Sequence, residues 1–389
     1  CVQEVLGVGH CFCTNTHANA RESVSACTWQ ELHRVFTKAW SCIVIFPGQS
    51  NDELVDIITT DELVATANTI AALQLPNGMI PWFPNGHCDP WNHVETAMAL
   101  DVMGMHDEAR RAYAWLADIQ RPDGSWHNYY MPDGSLEDAK LDTNVCAYIA
   151  TGIWHHYLVT SDEAFIRVMW PTVKRALTWV LGMRKDDGTI LWACEVDSRP
   201  WNYSLLTGSS SIRHALHSGA NIGAIIGESQ PEWRAAADTI DHLIGTDQTV
   251  FEPKLRWAMD WYYPVLTGAT IGAEAKTRLL NQWDEFIIDG RGVRCVNDED
   301  WVTAAETAEC SLAHAAAGEI DKAKELLSWT RAHRNEDGSY FTGIVYPGRI
   351  VFPADERSAY TAAAVILAAD AISQASPASK LFLSSTVFD

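Results

Sequence analysis

Six stretches of the chain mix carboxylates with tryptophan, tyrosine and histidine, and each leads into a helical pattern. The first, WFPNGHCDPWNHVE, holds Trp82, His87, Asp89, Trp91 and Glu95. The second holds Trp126 and Asp142, and the third Trp192, Glu195, Trp201 and Tyr203. Trp257, Asp260, Tyr262 and Tyr263 fall in the fourth, Trp301 and Glu306 in the fifth, and Glu356, Arg357 and Tyr360 in the sixth. Acids set among flat aromatic faces suit a carbohydrate, whose C–H faces stack on rings while its hydroxyls donate to carboxylates. Glycosidic cleavage needs two carboxyls, one protonated acid and one ionised base or nucleophile. Burial among aromatics raises one pKa and so separates the two roles.

An acid just ahead of a helix is often only its cap or dipole partner. That is the better reading for Asp61, Asp107, Glu163 and Asp355. For Asp89, Glu195 and Glu356, with aromatics on both sides, function leads. Glu95, Asp142, Asp260 and Glu306 stand evenly between the two. His87, His127, His155 and His156 make no metal set. Cys88, Cys146, Cys194, Cys295 and Cys310 recur near the loops as packing residues. No metal and no organic cofactor is implied.

The elements that must position these loops follow a repeat. Turn glycines recur at 78, 124, 188, 245, 292 and 338, with one helix pair between successive turns. A period of about fifty residues marks a repeat architecture. From Asp61, as the first cap, twelve helices can be counted, or six pairs, and six pairs can close on themselves. The expectation is an all-α (α/α)6 toroid. Small-residue helices such as AYIATGIW and TAAAVILAADA would be inner; charged amphipathic ones such as HDEARRAYAWL and EIDKAKELLSWTRA would be outer. Every loop entering an inner helix then opens on the same end of the barrel. The expected organisation is an atypical, poorly ordered extension over 1–57, a catalytic domain over 58–375 and a loose tail over 376–389.

The chain has 389 residues, 47% of them hydrophobic, enough to bury a large core. Its 28 basic residues against 50 acidic ones give a net charge of −22, which argues against nucleic acid or an anionic membrane as partner. No apolar run approaches the roughly 20 residues needed to span a bilayer, and residues 1–30 lack a signal-peptide pattern. The ten cysteines form no framework and read as reduced thiols of a cytoplasmic protein. Seventeen tryptophans are the outlier. The oligomeric state stays open.

Two resemblances follow. QRPDGSW (120–126) resembles the QW-type repeat of the prenyltransferase and triterpene cyclase superfamily, itself an α/α toroid. It implies a fold more than a chemistry, because the chain has neither a DxDD acid nor a zinc-binding Asp-x-Cys with a distant His. The longer resemblance, over about 61–372, is to glucoamylase-like (α/α)6 glycoside hydrolases. HVETAMALDVMGMHDEARRAYAWLADIQRPDG resembles their substrate-binding segment and outer helix. ILWACEVDSRPWNYSLLTGSSSIRHAL resembles the segment carrying their general acid, which implies that role for Glu195. Their base precedes the last inner helix, where this chain has Glu356, closer to Tyr360 than the family pattern has it; Asp89, Asp260 or Glu306 could hold the role instead. Within this group the chain is similar to actinobacterial endo-acting α-mannosidases of methylated mannose polysaccharides. The implied activity is that of an inverting α-glycosidase with Trp82, Trp91, Trp192, Trp201 and Tyr262 as sugar platforms. The alternatives are a prenyltransferase-like enzyme with a deep apolar cavity, or a non-catalytic carbohydrate-binding toroid.

Overall fold

The computed structural model describes Leu54 and residues 56–383. The expected extension therefore lies, but for Leu54, Asp56 and Ile57, outside the described residues. From Thr60 the chain alternates amphipathic outer helices with buried inner ones. The outer set is α1 (Thr60–Leu73), α3 (His106–Ile119), α6 (Glu163–Gly182), α8 (Pro231–Thr246), α10 with α11 (Gly272–Asn281, Trp283–Phe286) and α13 (Ile320–Trp329). The inner set is α2 (Pro90–Val102), α4 with α5 (Thr143–Ala147, Ile149–Thr160), α7 (Leu206–Ile226), α9 (Ala258–Leu266), α12 (Ala304–Ala316) and α14 (Ala359–Ser373). Every residue of α2 and all but Ser373 of α14 are buried. A helix apolar on all sides belongs in the core. On α3, only one face, with Ala109, Ala112, Tyr113, Trp115 and Leu116, is buried. Inner helices pack in sequence, α2 on α5, α5 on α7, α7 on α9, α9 on α12, α12 on α14, and α14 returns to α2. The ring closes, as the six-pair count requires.

The first helix is capped by Thr59, in a reciprocal box with Glu62, and not by Asp61. The turn glycines explain the repeat. Gly78, Gly124, Gly188 and Gly338 all have positive φ. A Cβ on Gly78 would meet the Arg111 carbonyl oxygen at 2.2 Å, on Gly124 that of Arg175 at 2.4 Å, and on Gly338 the backbone of Ala65 at 2.8 Å. On Gly188 it would meet Thr239 Cγ2 at 2.5 Å. Each turn thus sits against the next outer helix around the ring, Gly338 against the first. Gly245 and Gly292 are different: Gly245 lies inside α8 facing open space, and Gly292 opens a strand.

The sequence reading placed no strands. The structure has a three-stranded antiparallel sheet, β1 (His127–Tyr130), β2 (Leu136–Asp142) and β3 (Ala193–Cys194), joining the second and third loops. A five-stranded one, β4 (Ile287–Ile288), β5 (Gly292–Arg294), β6 (Trp301–Thr303), β7 (Gly343–Val345) and β8 (Ile350–Val351), joins the fifth and sixth. Single bridges stitch the remaining neighbours, Cys88 to Tyr130, Leu205 to Glu252 and Trp257 to Val296. Ala359 N–H donates to the Trp82 carbonyl at 2.7 Å. All six loops entering inner helices are therefore tied into one collar.

Pro377–Leu381 forms a 3₁₀ turn, and Phe382 stacks on His214 with centroids 5.6 Å apart. Cys88, Cys146, Cys194 and Cys310 are buried free thiols. Among the described residues no helix is long and apolar enough to cross a membrane.

Candidate active site

The collar carries two clusters of aromatics and acids. The first joins loops one, two and six. The Trp82 ring lies 4.5 Å from His87 and 4.6 Å from Tyr360, and His87 lies 4.6 Å from Tyr129. Nδ1 of His87 contacts Glu137 Oε2 at 2.6 Å, while the buried His87 Nε2 and Tyr129 hydroxyl have no partner. Glu356, half-buried, borders this cluster and lies close enough to His87 to feel its charge. Its Oε1 accepts from Thr342 Oγ1 at 2.8 Å. Burial pushes the Glu356 carboxyl up, with the Thr342 hydroxyl and His87 opposing. The Tyr360 hydroxyl feels both Glu356 and Glu306, and burial pushes it well up.

The second cluster joins loops two and three. Lys140, on β2, buries its ammonium 4.3 Å from the Trp192 ring centre, 5.2 Å from that of Trp201 and 3.9 Å from Asp142 Oδ2. Glu195 lies within reach of the same ammonium, and its Oε1 accepts from the Trp201 indole at 3.0 Å. Trp192 meets Trp201 edge-on at 5.0 Å and Tyr203 at 5.6 Å. Asp142 caps α4 through Oδ1, which accepts from Asn144 and Val145 N–H groups. Its buried Oδ2 pairs with the Lys140 ammonium, and the Trp192 indole N–H also acts on this carboxyl and lowers its pKa. Burial pushes the Asp142 carboxyl up to about 6, the Lys140 ammonium opposing.

The remaining candidates sort by their partners. Asp89 is fully buried; Oδ1 accepts from Asn92 N–H, and Oδ2 accepts from the Trp82 indole and the Asn92 amide. Asp260 is saturated too, by the Thr207 hydroxyl and Lys254 N–H. Both acids brace the collar and offer no free oxygen. Glu306 accepts from Thr303. Trp126 leaves the candidate set: its buried indole N–H donates to the Leu116 carbonyl of α3 at 2.9 Å, away from the mouth. Trp301 donates to the Phe352 carbonyl, and Arg357 pairs with Asp337 at 3.2 Å beside a groove of about 760 Å³ that also touches Phe83 and Glu356. Trp257 lines a separate groove of about 440 Å³ with Phe251, Leu255 and Arg278. Trp91, Glu95, Tyr262 and Tyr263 sit one turn deeper, toward the barrel axis. There a cavity of only about 10 Å³ remains, lined by Glu95, Tyr148, Tyr263, Glu309 and Phe382 among others. The deep apolar cavity that a prenyltransferase-like chemistry calls for is not found among the described residues.

Lys140, Glu137 and Glu309 were missed. Asp138, Lys140 and Asp142 share one side of an extended strand by their spacing of two, which was the available signal for Lys140. Glu309 gave none: it sits half-buried on α12, a helix otherwise buried on nearly every side.

No family model matches the chain. It is 44% identical over 326 residues to the MMP endo-(1,4)-3-O-methyl-alpha-D-mannosidase of Mycolicibacterium hassiacum, covering 84% of this chain and 90% of that one. Solved structures similar to it include a glycosidase at TM-score 0.64 and 13% identity, covering 84% of this chain and 100% of that chain. A D-mannose isomerase reaches 0.61 at 11% identity, covering 84% and 99%. These distant structures share the toroid fold. The 44% relative covers most of both chains, and the chain therefore belongs to the family of that endo-mannosidase and is a glycoside hydrolase.

Proposed function

We propose that the protein cleaves internal α-1,4 links of a 3-O-methylated mannose polysaccharide with inversion, using residues 58–375 as its catalytic domain. The observation that carries this reading is the pairing of polar groups with aromatic faces in both clusters. Beside Glu356 these include the unpartnered His87 Nε2 and Tyr129 hydroxyl; beside Glu195 they are the Asp142–Lys140 pair and the Trp192 indole. Buried polar atoms are nearly always satisfied, so the first set is suited to sugar hydroxyls. The indoles of Trp82, Trp192 and Trp201 supply apolar faces for methyl ethers as well as C–H groups.

In this reading Glu195 protonates the leaving oxygen and Glu356 activates water; inversion calls for about 6.5–9.5 Å between two such carboxyls. A second reading puts Glu306 in place of Glu195, favoured by the common influence of Glu306 and Glu356 on Tyr360. The test is incubation with 3-O-methylmannose oligosaccharides of graded length and unmethylated controls, reading products by mass and the first-formed anomer by NMR. Internal fragments with inverted anomer are expected. Glu195→Gln should lower kcat by about 10²–10⁴-fold. Products released only from chain ends would overturn endo action, and a larger loss in Glu306→Gln than in Glu195→Gln would transfer the acid role.

A further inference from the structure

Two carboxyls that this chemistry does not use share one small cavity near the barrel axis. Glu95 projects from α2 and Glu309 from α12, both onto the small axial cavity. The Glu95 Oε1 accepts from the Trp91 indole at 2.8 Å and from the Tyr148 hydroxyl at 3.2 Å. Glu309 Oε2 accepts from the Tyr262 hydroxyl. Each aromatic donor thus engages one oxygen of a carboxyl, and both carboxyls line the same cavity. Leu266, Leu312 and Leu367 line the rest of the cavity, and Phe382 joins them from the tail.

Among the described residues no cation acts on the pair: Asp89, at the start of α2, acts on Glu95, and Glu95 with Glu306 of α12 acts on Glu309. The phenols facing them are Tyr148 from α5 and Tyr262 and Tyr263 from α9; Cys310 adjoins Glu309 on its own helix. From α14 come Ala364 and Leu367, which are apolar. Two like charges in such a place cannot both persist.

We propose that Glu309 keeps its proton through neutral pH and donates it toward Glu95, so that the two carboxyls act as one acid–carboxylate unit holding Trp91 and Tyr148 in the floor of the active site. The unit is a positioning pair: it touches the indole beneath the collar, not the reacting atoms. Trp91 stacks on Tyr148 with centroids 5.0 Å apart, so one carboxylate fixes both rings. Burial pushes Glu309 well up and Glu95 up to about 7, in the order the unit requires.

The test is difference infrared spectroscopy of the full chain at pH 8, wild type minus Glu309→Gln. A protonated-carboxyl C=O band present in the wild type and lost in the variant is expected. Absence of the band at pH 8 would overturn the proposal, as would a band that survives Glu309→Gln and disappears in Glu95→Gln. This arm does not depend on the substrate. On whatever substrate the enzyme cleaves, Glu309→Gln, a neutral donor like the acid it replaces, should hold KM within about threefold between pH 6 and 8. Glu95→Gln, which loses the charged acceptor of the Trp91 indole, should raise KM roughly tenfold with a smaller change in kcat. Equal KM in Glu95→Gln and wild type would show that the pair positions nothing.

Discussion

Lys140→Met would remove a buried ammonium and keep its length. In the wild type the side chain is 4% exposed, and its nitrogen lies 3.9 Å from the fully buried Asp142 Oδ2. Two losses follow from the substitution. Cation–π attraction to Trp192 and Trp201 is worth about 0.5–1 kcal/mol for each ring. Stranding the Asp142 charge costs more, about 3–5 kcal/mol for a buried pair broken from one side. The second loss depends on pH. Burial already raises Asp142 to about 6 with Lys140 present, and without Lys140 it rises further. At pH 5 Asp142 takes up a proton in both proteins, the stranded charge vanishes, and a deficit of about 1–2 kcal/mol remains. At pH 8 both losses count, and the deficit should reach about 4–7 kcal/mol. Urea unfolding of both proteins at the two pH values measures the difference. Adding Asp142→Asn, which keeps the oxygen that caps α4, should restore much of the pH 8 loss. A deficit equal at pH 5 and 8, or a double variant no better than the single one, would refute the reasoning.

Three further outcomes follow from the same geometry. Gly338→Ala should destabilise by about 2–5 kcal/mol, combining the left-handed φ with a Cβ pressed onto the α1 backbone. Gly318→Ala has a positive φ but open space around it, so it should cost only about 1–2 kcal/mol, and equal urea midpoints for the two would remove the close-packing explanation of the repeat. If Glu356 is the base, it must be ionised; burial raises its pKa, so kcat/KM should fall with falling pH at a higher pH than an ordinary glutamate of about 4.3 dictates. Thr342→Val removes a donor that favours the ionised form and should move that limb upward by roughly 0.5–1 unit; a limb that stays in place would take Glu356 out of the base role.

The closed ring was legible because it rests on features with a period. Each helix pair repeats one pattern, and at Gly78, Gly124, Gly188 and Gly338 the turn meets a neighbouring helix so closely that only glycine fits. Local spacing also placed the acids and tryptophans at one end, since every collar loop precedes a buried helix. What the sequence could not express was partnership across the ring. LEDAKLD, with four charged residues in seven, gave no strand signal, yet it pairs on both sides, with His127–Tyr130 and Ala193–Cys194. Asp89 and Glu356 looked alike, each an acid in an aromatic loop before a helix. The difference lies in donors brought by the fold: Asp89 is saturated by Trp82 and Asn92, whereas Glu356 meets one hydroxyl and stays half open. Glu95 and Glu309 lie far apart in sequence on separate helices, and nothing local links them. Closing six pairs into a ring puts those helices on either side of α14, lining one narrow cavity, where the net charge of a glutamate becomes a property of the pair.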